Sequence, residues 1–167
     1  FDTLRRVLDP LAKKLEDSSR KIEKWQHSLN KADRRLEEVR HEINEIAEGR
    51  GPKLTKDRTG KFVAQQDDVA SQRALERLRK RNAGFEGIML GEDSDKRDLR
   101  VQAAVDQERV DTLQRHERRV EGVRTRTETK IQRGADEQEL LEEQHRSAEE
   151  FKGKISAAAA GAGLAFS

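Results

Sequence analysis

Four histidines, a basic stretch around two glycines, and carboxylates throughout are the groups in this chain whose types could do chemistry. His27 and His41 stand fourteen residues apart, about 21 Å along a helix, and cannot share a metal ion. His116 and His145 show no partner at a spacing that would complete a metal site. Adjacent carboxylates such as Glu37 and Glu38 are what any charged helix surface carries, without an acid–base role. Lys61 follows Gly60, yet the Gly-x4-Gly-Lys-Ser/Thr phosphate loop is absent. There is no cysteine, which removes disulfides, thiolate metal sites and a thiol nucleophile. The residues therefore predict no enzyme, no cofactor and no bound metal.

Binding is a fairer contest. Lys53, Lys56, Arg58 and Lys61 lie in one glycine-containing connector with a single aromatic, Phe62. They are candidate phosphate contacts, and Phe62 a candidate base-stacking ring. Arg77, Arg79, Lys80 and Arg81 form a second basic cluster. Acidic groups interspersed along the rest of the chain oppose binding to a duplex.

The elements that must position these groups are long helices. From Leu4 to Ile46 apolar residues keep a heptad register. One set reads Leu8, Leu15, Ile22, Leu29, Leu36 and Ile43. The other reads Leu4, Leu11, Ser18, Trp25, Ala32, Val39 and Ile46. A helix cannot satisfy such a stripe by itself. It requires a partner helix, in the same molecule or in another copy. Trp25 reads as a packing anchor within that seam. Residues 1–48 are thus one long helix, with a turn or kink expected at Asp9-Pro10. Gly49-Arg50-Gly51-Pro52 ends it.

Residues 49–93 form a basic connector in which residues 53–63 are either a small β-hairpin or an irregular loop. A short helix follows over about 67–81, with Val69, Leu75 and Leu78 on its apolar side. Phe85, Ile88, Met89 and Leu90 make an apolar plug after it. Asp93-Ser94-Asp95 starts a long charged helix over 94–152. Leu99, Ala103, Val110, Leu113, Val120, Ile131, Leu141, Ala148 and Ile155 share a heptad frame there. Asp106, Glu117, Arg124, Gln138 and His145 interrupt it, and Gly134 is expected to bend or break the helix. The last segment, 153–167, is rich in alanine and glycine. Its Ala160, Gly161, Gly163, Leu164 and Phe166 suit tight packing or contact with a membrane.

At 41% charged and 32% hydrophobic residues, the chain has too little apolar matter for a thick core. The composition fits narrow seams on solvated helices. No apolar run reaches the length of a membrane span, and no signal-peptide pattern is visible. The fold class is all-α: long coiled-coil helices, arranged as an antiparallel hairpin or as separate helices on other chains.

The second half resembles the internal virion proteins of short-tailed, T7-like phages. The likeness is carried by Asn82-Ala83-Gly84-Phe85-Glu86-Gly87, by Ser94-Asp95 leading into Arg97-Asp98-Leu99, and by Glu117-Arg118-Arg119-Val120-Glu121-Gly122-Val123-Arg124. It closes with the Ala-Gly-Ala-Gly-Leu run at 160–164. It implies a multi-copy virion component ejected with the genome, and supplies no catalytic residue. The expected partners are further copies or other helical subunits. The alternative is a cytosolic adaptor or nucleic-acid-associated factor that uses the basic connector.

Overall fold

A computed structural model describes residues 2–86 and 94–161. In chain order these form α1 (Asp2–Ala47), β1 (Thr55–Lys56), β2 (Phe62–Val63), α2 (Val69–Arg81) and α3 (Ser94–Gly161). The protein is an all-α helical hairpin in which α1 and α3 pack against each other. The described residues divide into two compact units, 2–33 with 123–161 and 34–86 with 94–122.

The sequence explains α1 directly. Every seam position from Leu8 to Ile46 is buried or half-buried, as an apolar stripe held on one partner must be. The partner is α3 of the same chain. The helix continues unbroken through Pro10, where the sequence predicts a turn or kink. Proline removes one backbone donor, but Leu8 is buried on one side of it and Leu11 and Leu15 are half-buried on the other. That packing holds the helix together. At its end, Gly49 takes φ +75°. Its N–H reaches the Ile46 carbonyl at 3.1 Å and the Arg50 N–H reaches Glu45 at 2.8 Å. These are the two bonds of a Schellman cap, which glycine closes without strain.

In the unit of 2–33 and 123–161, α3 shows one face to α1. Its buried and half-buried positions are 127, 131, 134, 138, 141, 145, 148, 152, 155, 156 and 159, which alternate by four and three apart from the extra position 156. Gln138 donates to the Ser19 hydroxyl at 2.8 Å, so a polar seam residue finds a polar partner. Arg124 lies outside the seam and bridges to Asp33 at 2.6 Å. With Ser19 opposite Gln138 and Asp33 opposite Arg124, the two helices run antiparallel.

Gly134 corrects the sequence reading. It lies inside a continuous α3 and is buried. A methyl group there would stand 2.9 Å from Trp25 Cζ3 and 3.1 Å from Ile22 Cγ1. The glycine makes room for the tryptophan ring and does not break the helix. The helix also runs past residue 152 to Gly161.

The unit of 34–86 and 94–122 has a second core. Phe62, Ala74, Leu75, Phe85, Val101 and Val105 are its buried members. The connector is a β-hairpin, with Thr55 opposite Val63 and Lys56 opposite Phe62. Asp57 shapes its turn by accepting from the Thr59 hydroxyl at 2.6 Å and the Lys61 N–H at 3.0 Å. Those bonds hold its carboxyl below the usual range. Gly60 supplies the left-handed residue at φ +83°. Helix α2 is capped by Asp68, whose carboxylate accepts from Ser71 N–H at 3.1 Å.

Leu99 and Ala103 leave the frame drawn for them. Leu99 is 70% exposed and Ala103 is exposed, while Val101 and Val105 carry the burial. Helix α1 ends at Ala47, so the first turns of α3 meet the β-hairpin and α2 instead. Gln102 Oε1 accepts from the Leu54 N–H at 2.8 Å, and Asp98 pairs with Lys56 at 2.9 Å. Val69 is likewise exposed, leaving Leu75 and Leu78 as the inward side of α2.

Candidate functional site

The expected phosphate contacts separate. Lys53, Arg58 and Lys61 are exposed, and no ion pair joins them to another described residue. Lys56 is engaged by Asp98 and lies over the Phe62 ring, 5.1 Å from its centre. Phe62 itself is 7% exposed and belongs to the core. It cannot stack on a base, which corrects that expectation. The second basic cluster is largely structural. Arg79 donates to Glu86 at 2.6 Å and to the Phe62 carbonyl at 2.7 Å.

The histidines stay apart. His27 and His41 are exposed. His145 does have a carboxylate one turn on, Glu149 at 4.0 Å, which the sequence reading did not count. Among the described residues no three His, Asp or Glu side chains gather where a metal ion could sit. Of the tail residues, Ala160 and Gly161 end α3 and are exposed. Gly163, Leu164 and Phe166, like Ile88, Met89 and Leu90, lie outside the described residues. No helix among the described residues is long and apolar enough to cross a membrane.

What the sequence reading missed is a cationic groove in the unit of 34–122. Its volume is about 320 Å³. Helix α1 gives it Arg35 and Glu42, and α2 gives Ala70, Arg73 and Arg77. Helix α3 gives Arg109, Thr112, Leu113, His116 and Arg119. Five guanidinium groups thus line one groove with a single carboxylate, Glu42, which is exposed.

Beside the groove, Glu108 anchors the wall. It is 5% exposed and accepts from Arg77 at 3.0 Å and from Arg81. Burial alone would push its carboxyl up. The hydrogen bonds from Arg81 and Arg77 together outweigh that and hold it below the usual range. Arg77 also donates to the Thr112 hydroxyl at 3.0 Å, so its plane is fixed from two sides. Arg35 donates to His116 Nε2 at 3.0 Å and to Glu38 at 3.1 Å.

No family model, curated protein or solved structure matches this chain. The groove is therefore read from its own chemistry. Arg109 is 8% exposed, and its Nε and Nη1 are buried without a hydrogen-bond partner. Arg73 and Arg119 form no ion pair with any described residue. A sequence signal existed: Arg73 and Arg77 stand at i,i+4, and Arg109, Thr112, His116 and Arg119 recur every three or four residues. It becomes visible only when α1, α2 and α3 are placed side by side.

Proposed function

We propose that the chain is a non-enzymatic structural subunit, a helical hairpin that assembles in several copies. The observation that carries this reading is where its apolar residues go. The α1 seam packs against α3 of the same chain. Further apolar residues remain on its outside. Val7 and Leu140 are about half exposed, at 47% and 55%. Both flank one surface groove, of about 650 Å³, with Arg6, Lys14 and Glu143 beside them. A patch with both charge signs around an apolar centre suits a two-fold contact between copies. Burying each of the two apolar side chains contributes up to about 1.5–3 kcal/mol.

The more specific reading, an internal virion component of a short-tailed phage, is supported by the resemblance that runs from Asn82 to Leu164. A multi-copy helical subunit suits it. Light scattering over a dilution series tests the assembly. A species of several 19.1 kDa chains that reverts to one chain in Val7→Ser/Leu140→Ser, with helicity unchanged, supports it. A monomer at every concentration refutes it.

A second reading is favoured by the exposed, unpaired Lys53, Arg58 and Lys61: an adaptor or nucleic-acid-associated factor gripping phosphates through the β-hairpin. Neutralising the three should then abolish salt-sensitive retention of DNA or RNA. Unchanged retention rejects it.

A further inference from the structure

We propose that the groove between α1, α2 and α3 in the unit of 34–122 is a binding site for a small phosphate-bearing molecule, with Arg109 as its most buried cation. The argument begins with that side chain. A guanidinium is always charged, and burying a charge without a partner is among the costliest things a fold can do. Arg109 Nε and Nη1 are nonetheless buried and unpartnered, on the wall of an open groove. No carboxylate of the described residues pairs with Arg109, so an anion seated in the groove would offset its buried charge.

The surroundings identify the kind of acceptor. Arg73, from α2, and Arg119, one helical face along from Arg109, line the same groove as free, exposed cations. Arg77 is held in a fixed plane by Glu108 and Thr112. Guanidinium groups arriving from different helices suit a tetrahedral group with several charged oxygens better than a flat carboxylate with two. Glu42 does not cancel them, because it is exposed and screened by water.

Size narrows the ligand further. A groove of about 320 Å³ is at the small end of small-molecule sites. It accommodates a pyrophosphate or a small phosphate ester. The backbone of a duplex could not bring a phosphate to a side chain that is nine-tenths buried.

Calorimetric titration of the full chain with pyrophosphate and with orthophosphate tests the assignment. The expected result is saturable binding of pyrophosphate at about 1 mM or tighter. Arg73→Ser/Arg119→Ser should weaken it about tenfold or more, since each loses a charged hydrogen bond. These residues are exposed and unpaired, so the variant should fold. Arg109→Met should remove binding and, judged separately by circular dichroism, should keep or raise stability, because it takes away a buried unpaired charge. Lys53→Ser/Lys61→Ser should bind pyrophosphate as the parent does. Absence of binding overturns the proposal, as does affinity that survives Arg73→Ser/Arg119→Ser. Binding of a single-stranded oligonucleotide without pyrophosphate also overturns it, because the phosphates would then lie along an open surface.

Discussion

Replacing Gly134 by alanine separates two opposed effects that the structure puts at one position. In an open helix interior, glycine to alanine stabilises by about 1 kcal/mol, because the backbone loses less freedom on folding. Here the new methyl would meet Trp25 Cζ3 at 2.9 Å and Ile22 Cγ1 at 3.1 Å. The first contact is with a rigid ring, and the cost of overpacking is typically about 1–3 kcal/mol. The clash should win, leaving Gly134→Ala about 1 kcal/mol less stable than the parent. In a Trp25→Leu background the ring atom is gone. The same substitution should then be neutral or stabilising, a coupling of about 1–2 kcal/mol across the cycle. Urea unfolding followed by far-UV circular dichroism measures all four proteins. A stabilising Gly134→Ala in the parent would show that the glycine is a plain helix defect and that the tryptophan does not need its space.

Four other substitutions bear on the fold. Glu108→Gln removes the shared carboxylate of Arg77 and Arg81 and should destabilise by about 2 kcal/mol. The carboxyl of Glu108 titrates lower folded than unfolded, so its stabilisation is complete above the ordinary glutamate pKa of about 4.3 and fades as pH falls through the folded value. The variant should therefore lose less stability on acidification than the parent, and an identical acid slope would contradict the assignment. Val39→Asp buries a charge at a fully covered seam position and should strip helicity, whereas Val123→Asp, at a 46% exposed site, should leave circular dichroism unchanged. Asp57→Ala removes the acceptor of Thr59 and Lys61 and should speed hydrogen exchange at the Lys61 amide. The parent should approach that rate only as acid protonates Asp57.

The hairpin was legible because α1 repeats its pattern so often. From Leu8 to Ile46 each position says the same thing, and the structure needs only one partner to answer all of them. Helix α3 was less legible because its surroundings change along its length. Over 127–159 it faces a helix and keeps a heptad frame. Over 101–109 it faces a β-hairpin and a short helix, so Val101 and Val105 are buried while Leu99 is not. Gly134 misled for a related reason. Its rule describes a lone helix, and the tryptophan that gives it a purpose is more than a hundred residues away. The cationic groove was hidden by dispersion. Its five arginines are scattered over three helices, each ordinary in a chain so rich in charge.

A seam closed within the chain has a consequence for its synthesis. Arg40 meets Glu117, 77 residues later, and Ser19 meets Gln138, 119 residues later. At about 5–20 residues per second, a ribosome needs roughly four to fifteen seconds to pass from Arg40 to Glu117, and longer for Ser19. Throughout that interval α1 has been made and its leucine stripe has nothing of its own to bind. A nascent α1 therefore exposes that stripe until α3 follows, and the earliest residues wait longest.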